Sequence, residues 1–344
     1  MTEIKSLTIE ELKAALVDMG EKPFRAGQIF KWLHGGVESF EEMSNLSKDL
    51  RQRLSARFSL TVPVAVRKQM SRMDGTIKYL WRLHDGECVE SVLMRYKHGV
   101  SVCVSTQVGC RMACKFCASG IGGCKRNLSA GEILDEIIFM QKDSGETVSN
   151  IVLMGTGEPL DNYDNVLKFL RLVSCSEGIG IGQRHISLST SGIADKIEKL
   201  AGEKLQITLS VSLHAPDDET RSSIMPVNNA YPVKRLMRAC RYYFDTTGRR
   251  ISYEYMMARN KTDQPWQAEQ LAKLLRGRPA HVNLIPLNEV AESPLRPSRP
   301  EAVRRFQQAL EKHGVTATVR RRLGPDIDAA CGQLRRRELR ERQA

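Results

Sequence analysis

Ser101-Val-Cys-Val-Ser-Thr106-Gln-Val-Gly109-Cys110-Arg-Met-Ala-Cys114-Lys-Phe-Cys117 joins a strand-like run to a loop carrying three cysteines spaced C-x3-C-x2-C. The first half is rich in β-branched and small residues, which suit a pleated surface. Three thiolates this close in sequence can wrap one metal centre. On a four-iron cluster, three cysteines leave one iron without a protein ligand and open to a small molecule. The same spacing also fits a zinc site completed by Cys124 or Cys103, or three unrelated thiols. Phe116, just before the third cysteine, favours the cluster, because an aromatic there can pack against an adenine.

Beyond the loop the pattern is that of an α/β fold. Strand-like runs at 102–106, 150–154, 185–189, 206–213, 250–257 and 281–286 alternate with helical patterns at 129–142, 161–174, 192–201, 231–244 and 264–276. Strand–helix units in series predict a parallel sheet, either doubly wound or a partial barrel. In both, ligand groups gather at the C-terminal ends of the strands. A further helix over 300–313 and a strand over 315–320 precede an Arg-rich tail.

Upstream, residues 61–107 alternate with period two, and Asp74-Gly75 and Asp85-Gly86 interrupt the alternation. Asp-Gly between alternating runs signals a hairpin, so a short antiparallel meander is predicted. Earlier still, Thr8-Ile-Glu-Glu11 has capping-box spacing and opens a helix that stops near Gly20. Further helices are predicted over 24–33 and 44–57. The resulting division is a helical accessory module at 1–60, an antiparallel β linker at 61–100, a core at 101–290 and a C-terminal extension at 291–344.

The chain has 344 residues, with 52 Lys+Arg against 40 Asp+Glu, a net charge of +12. At 41% hydrophobic and 27% charged it is not a disordered chain. No apolar run approaches the roughly 20 residues that cross a bilayer. The charged start MTEIKSLTIEELK has no apolar stretch, so a cytoplasmic compartment is expected. Nine cysteines then point to metal or redox chemistry rather than a disulfide framework. Residues 61–126 hold eleven Lys/Arg and four acids, +7, and the last 25 residues hold eight Arg and four acids, +4. Residues 1–60 balance at nine of each sign, so the positive charge sits in two separated segments. Brought together, they would form one basic face suited to phosphates.

Several collinear motifs narrow the function. They are Thr106-Gln-Val-Gly109-Cys110, Lys125-Arg-Asn-Leu128, Gly155-Thr-Gly-Glu-Pro159, Ser189-Thr-Ser-Gly192, Ser212-Leu-His-Ala-Pro216, Asn283-Leu-Ile-Pro-Leu-Asn288 and Asp326-Ile-Asp-Ala-Ala-Cys-Gly-Gln-Leu334. Together with the cysteine loop, they resemble the radical S-adenosylmethionine (SAM) superfamily. Within it they resemble the adenine-C2 RNA methyltransferase family, the RlmN type with its C8-methylating Cfr relative, over about residues 20–335. The resemblance implies a partial (β/α)6 TIM-like radical SAM barrel with a small helical N-terminal domain and a short antiparallel β extension. It implies one [4Fe-4S] cluster on Cys110, Cys114 and Cys117, and two SAM molecules per turnover. Gly157, Glu158, Ser189, Ser212, Leu213, His214 and Asn288 would line the SAM site, Glu158 taking the methionyl ammonium. The substrates would be 23S rRNA at the peptidyl-transferase centre and the tRNA adenine next to the anticodon. A flavodoxin-type protein would donate electrons, with no membrane partner, and the enzyme would act as a monomer. Cys124 departs from the family pattern, where an apolar residue is expected.

The resemblance also assigns two cysteines outside the loop. The one matching Cys331 is methylated by a first SAM, and the one matching Cys103 resolves a covalent adduct and leaves a Cys103–Cys331 disulfide. The chemical need is plain: C2 of adenine is electron-poor and does not attack the methyl of SAM, whereas a thiolate does. Glu90 matches the family's proton acceptor. On an alternating strand Cys88, Glu90 and Val92 share a face, so Glu90 is expected inside beside apolar neighbours, where burial would raise its pKa toward a useful base. Cys88, Cys175 and Cys240 read as core. Arg320–Arg322 and Arg335–Arg337, flanking Cys331, read as clamps for RNA phosphates. A rival of another class is a zinc-stabilised RNA-binding module without catalysis.

Overall fold

The computed structural model describes residues 1–277, 279–288, 293–327 and 332–341, with the side chains of 339 and 340 excepted. The N-terminal part pairs β1 (Thr2–Glu3) with β2 (Phe58–Ser59) around helices α1 (Ile9–Asp18), α2 (Arg25–His34) and α3 (Lys48–Arg57). α1 opens at the expected capping box: the Thr8 hydroxyl accepts from the Glu11 N–H, and the Glu11 carboxylate accepts from the Thr8 N–H. α3 begins at Lys48 rather than near 44, because Ser47 is the residue whose hydroxyl accepts a backbone N–H, that of Leu50. These helices share one apolar cluster with the rest of the molecule. A buried ion pair, Lys5 Nζ to Asp135 Oδ1 at 2.7 Å, ties the N-terminus to the first helix of the core.

Strands β3 (Val64–Met70), β4 (Ile77–Arg82), β5 (Cys88–Tyr96) and β6 (Gly99–Cys103) form the expected antiparallel meander, with Asp74-Gly75 and Asp85-Gly86 at its turns. After β6 the chain makes a small hairpin, β7 (Gln107–Gly109) with β8 (Cys124–Asn127), that frames the cysteine loop. The remaining elements are α4 (Ala130–Ser144), β9 (Val148–Leu153), α5 (Tyr163–Val173), β10 (Ile186–Thr190), α6 (Ala194–Gly202), β11 (Thr208–Ser212), α7 (Asp218–Ile224), α8 (Val233–Thr247), β12 (Ile251–Met257), α9 (Pro265–Leu275), β13 (Ala280–Pro286), α10 (Pro300–Lys312), β14 (Thr316–Val319) and α11 (Gln333–Glu341).

The ten-stranded sheet runs β14-β13-β12-β11-β10-β9-β6-β5-β4-β3. From β6 to β14 all neighbours are parallel, and each new strand joins beside the last. A doubly wound sheet reverses its strand order part-way, so this is the partial barrel instead. With right-handed crossovers, an unreversed order places all the helices on one face and curls the sheet. Six strand–helix units are followed by β14 as a seventh parallel strand. Among the described residues β14 and β3 are not paired, so the barrel stays open.

Register gives the two faces different chemistry. Cys103 pairs with Val152, Ser189 with Ser210, Ser212 with Glu254 and Glu254 with Asn283. One face therefore carries Ser101, Cys103, Asn150, Ser187, Ser189, Ser210, Ser212, Ser252, Glu254, His281 and Asn283. The other carries Val102, Ile151, Leu153, Ile186, Leu188, Leu209, Val211, Tyr253, Tyr255, Val282 and Leu284, all buried in the cluster shared with the helices. Parallel strands covered on both faces read as continuous apolar runs. These alternate, because their inner face carries polar and mostly small side chains. The same face continues into the antiparallel wing, where Val92 lies opposite both Cys103 and Lys78. Beyond β14 the chain crosses to this wing. The Gly324 N–H donates to Asp74 Oδ2 at 2.9 Å, and Asp326 accepts from the Ser71 hydroxyl and the Arg72 N–H. Then α11 lies on β4 and β5, with Leu334 packed against Leu80 and Cys88.

Candidate active site

The cysteine loop is pinned by backbone hydrogen bonds. The Cys110 N–H donates to Gly123 O at 3.0 Å, Cys117 N–H to Cys114 O at 3.1 Å, and Lys115 N–H to Ile224 O, at the end of α7, at 3.0 Å. Burial pushes the Cys110 thiol up to about 12 and the Cys114 thiol higher still. Cys117 and Glu158 add to the effect at both thiols, with Cys124 at Cys110 and Cys110 at Cys114, so these groups lie near enough to act on one another. Thiols so disfavoured as bare anions gain from a cation that takes their charge. Among the described residues no three His, Cys, Asp or Glu side chains meet tightly enough for a single metal ion. Thr106 and Thr156, on the neighbouring loops, have buried hydroxyls without a partner. The residues present therefore fit a cluster with a polar ligand beside it. Cys124 is half-buried in β8, its thiol 3.7 Å from Arg126 O.

Gly155–Glu158 follow β9 and cross close to the chain leaving β6. At Gly157 φ is +112°, and a Cβ would lie 2.7 Å from Gln107 Cβ, so only glycine fits. Glu158 is buried. Its Oε1 accepts the Leu160 N–H at 3.0 Å and its Oε2 the Ser191 N–H at 2.6 Å. Burial raises its carboxyl pKa, and those bonds pull the other way. Ser189 and Ser212 face the cavity, half-buried, and Asn288 lies half-buried just past β13. Leu213 is fully buried.

His214 behaves differently from the expectation of a cavity-lining ligand group. Its backbone sits at φ +58°, held by N–H bonds from Leu213 and His214 to Glu254 O at 3.1 and 3.2 Å. Its ring Nδ1 accepts the Met256 N–H at 3.0 Å, and the Phe116 ring meets it edge-on at 4.9 Å. Burial, then the nearby Arg221 charge, drives the imidazole down to about 3, so it is neutral. Nδ1 is thus spent inside the protein, and the Phe116 and His214 rings brace each other.

In the wing, Glu90 is buried among the expected apolar neighbours, with Leu80 directly opposite it, but it also meets a charge. Lys78 Nζ, fully buried, lies 2.8 Å from Glu90 Oε2. The same carboxylate accepts the Gly332 N–H at 2.7 Å and the Arg335 N–H at 2.5 Å, capping the start of α11. Alternation placed the residue on the inner face but could not show that β4 supplies a lysine there. Cys331 lies outside the described residues. Gly332, its chain neighbour, also abuts the cysteine loop, where a Cβ would fall 2.7 Å from the Ser119 nitrogen. Cys103 lies buried on the same face as Glu90.

The two basic segments touch, but much of their charge is spent inside the protein. The C-terminal segment does meet the 61–126 segment, yet Arg67, Lys68, Lys78, Arg95, Arg111, Lys125 and Arg126 are all in ion pairs. Arg335 is buried, donating from Nε to Cys88 O at 2.8 Å, so it holds α11 rather than a phosphate. Cys175 sits just past α5, half-buried rather than core. Sequence reasoning also missed Lys78 and Arg221: each reads as an ordinary surface charge until its neighbours in space are known.

A model described as the Radical SAM superfamily matches residues 104–272. One described as the ribosomal RNA large subunit methyltransferase N-terminal domain matches residues 2–60. The "Probable dual-specificity RNA methyltransferase RlmN" of Lachnoclostridium phytofermentans is 53% identical over 335 residues, 97% of this chain and 94% of the relative. The protein of the same description from Geobacillus thermodenitrificans is 53% identical over 345 residues, 99% and 94% of the two chains. A crystal structure of a radical SAM methyltransferase from Sphaerobacter thermophilus superposes with a TM-score of 0.92 at 43% identity, covering 97% of this chain and 99% of that one.

Proposed function

The chain belongs to the RlmN family of radical SAM RNA methyltransferases, and on that premise we propose that it methylates C2 of adenine in RNA through a methylated Cys331. Its substrates are the 23S rRNA adenine at the peptidyl-transferase centre and the tRNA adenine next to the anticodon. One observation carries the reading beyond family membership. Cys103, Glu90 and the backbone next to Cys331 share the inner face that also carries Ser189 and Ser212.

Cys110, Cys114 and Cys117 hold the [4Fe-4S] cluster. When bound there, the cluster would supply the electron for reductive cleavage of SAM to methionine and a 5′-deoxyadenosyl radical. Glu158 takes the methionyl ammonium, and the SAM pocket is completed by Gly157, Ser189, Ser212, Leu213, Asn288 and the backbone of His214. Cys331 accepts a methyl group as a thiolate; that methyl would give a hydrogen atom to the 5′-deoxyadenosyl radical, forming 5′-deoxyadenosine, and its carbon would then bond C2, the odd electron of the adduct passing back to the cluster. Glu90, oriented by Lys78 and two amides, accepts the C2 proton. Cys103 attacks the Cys331 sulfur, frees the methylated base and leaves a disulfide. Two SAM molecules are consumed per turnover. The 1–60 module orients the RNA, a flavodoxin-type protein donates electrons, and the enzyme works as a cytoplasmic monomer.

The test separates the two cysteines. Cys331→Ala forms neither product nor adduct. Cys103→Ala adds to the adenine and stalls, so the purified protein carries RNA, and nuclease digestion with intact-mass analysis finds the nucleotide on Cys331. Equal loss of activity with no adduct in Cys103→Ala overturns the mechanism. Mass spectrometry of digested product RNA against 2- and 8-methyladenosine standards decides between this activity and that of the C8-methylating relatives.

A further inference from the structure

Arg221, on α7, is the largest fully buried side chain of the described residues. Its Nε donates to Leu213 O at 3.0 Å. Its Nη1 donates to Asn228 Oδ1 at 2.8 Å and Tyr231 O at 3.5 Å, and its Nη2 to Ser191 O at 2.6 Å and Ser212 O at 3.1 Å. Every one of these acceptors is neutral: the carboxylate that acts on the guanidinium, Asp218, is linked only through Asn228, whose amide donates to it at 3.0 Å. A guanidinium buried without a directly bonded carboxylate is costly. Something must return that cost.

Two observations show what the charge serves. The first is the choice of acceptors. Ser191, Ser212 and Leu213 are the ends of β10 and β11, where the proposed SAM residues sit. The Ser191 peptide is held from both sides, its carbonyl by Arg221 and its N–H by Glu158. Gly192 makes room for this arrangement: at φ +104°, a Cβ there would lie 3.1 Å from Nη2. The second is the position of the charge. Among the acidic groups that act on Arg221, Cys114 comes first, ahead of Cys240 and Asp218. The cysteine loop is fastened to the end of the same helix by the Lys115-to-Ile224 hydrogen bond. Ile224 and Met225 pack directly on Cys114 and Phe116.

We infer that Arg221 is a positioning residue for the cluster and SAM pocket: it braces the ends of β10 and β11 and supplies the buried positive charge that offsets the anionic cluster at Cys114. The inference rests on the proposed cluster and SAM reading. Positive charge beside a cluster favours the arriving electron, so Arg221 raises the reduction potential. Its planar fork serves several carbonyls at once, which the three donors of a lysine on a flexible stem do not reproduce.

The test compares anaerobically reconstituted wild type, Arg221→Lys and Arg221→Met. The readouts are iron content, cluster potential by EPR-monitored titration, the SAM dissociation constant, and amide exchange of the cluster-free protein at Ser191 and Leu213. In Arg221→Met the reduced-to-oxidised ratio at fixed potential falls by about tenfold, 59 mV for a one-electron couple, SAM binding weakens and both amides exchange faster. Arg221→Lys keeps most of the potential but loses SAM affinity and amide protection. Unchanged potential, affinity and exchange in both variants overturn the inference. If Arg221→Met does not fold, Arg221→Lys decides it: wild-type affinity and exchange there overturn it equally. If the wild type takes up no four-iron cluster, the reading of the site fails instead, while amide exchange, which needs no cluster, still judges the bracing.

Discussion

The two halves of the sheet bury positive charge in opposite ways. In the antiparallel wing Lys78 meets a full counter-charge, Glu90, and the remaining valence of that carboxylate caps α11. In the parallel half Arg221 meets only carbonyls and an amide. The first arrangement is closed: every charge has its partner inside the protein. The second is open: no carboxylate bonds the guanidinium directly, and the loop thiol that acts on it is Cys114. A wing that must hold a catalytic segment in register is served by the closed kind. A pocket that must accept an anionic guest is served by the open kind.

The largest effect should come from opening the closed pair. Lys78→Met leaves the Glu90 carboxylate buried without its cation, which costs about 3–5 kcal/mol when one partner of a buried pair is lost. Chemical denaturation should show that loss, and the double variant Lys78→Met/Glu90→Gln should recover much of it. A cost under about 1 kcal/mol for the single variant would mean that water reaches the pair, and the contrast between the halves would collapse.

Much of this architecture is legible in the amino-acid sequence, and the reasons are local. Asp74-Gly75 and Asp85-Gly86 mark turns by their own backbone preference, and the strand–helix alternation needs only periodicity. The choice of barrel over doubly wound sheet is not legible from those signals, because strand order is a long-range property. The serine-rich alternation at 187–189, 210–212 and 252 does carry a clue, since parallel strands seldom alternate unless one face lines a cavity. Counting along the strand puts Glu90 on the inner face, but its partners come from β4 and from α11, over 240 residues away. The assignment of Arg335 to RNA fails for the same reason: a cluster of arginines does not show which one turns inward.

A middle-sized effect tests whether Arg221 makes its half intolerant of more charge. The His214 imidazole is held down to about 3, first by burial and then by Arg221. The folded state thus binds fewer protons than the unfolded chain between about pH 3 and the ordinary histidine value near 6.5. Stability is fully present above that unfolded value and is lost as pH falls toward the folded one. Each such histidine contributes a slope of about 1.4 kcal/mol per pH unit. Denaturation of His214→Phe between pH 6 and 4 should show a slope shallower by that amount, whatever the absolute stability. His34, lowered to about 4 by burial and then Lys5 in the N-terminal module, is the control. His34→Phe should flatten the curve similarly, down to about pH 4. An unaltered slope in His214→Phe would mean that the ring titrates freely, and that Arg221 imposes nothing on its neighbours.

The smallest effect separates buried from exposed arginines within the C-terminal segment itself. Arg321 and Arg322 are exposed, in the stretch that crosses from the parallel half to the wing. Arg335, close behind in sequence, is 6% exposed and spent on Cys88 O and Glu87. A cation that contacts phosphate releases a counterion, so removing it lowers the log–log salt slope of RNA binding by about 0.7–0.9. Arg321→Ala and Arg322→Ala should each shift the slope by about that much if they touch RNA, with fold stability unchanged. Arg335→Ala should leave the slope alone and instead destabilise the protein by about 1–3 kcal/mol, because a buried carbonyl loses its donor. Titrations of tRNA binding across a salt series, run beside denaturation curves for the same three variants, read both quantities. A slope change in Arg335→Ala without loss of stability would put that guanidinium on the RNA, and the C-terminal segment would then clamp substrate on the wing side rather than only anchor α11 there.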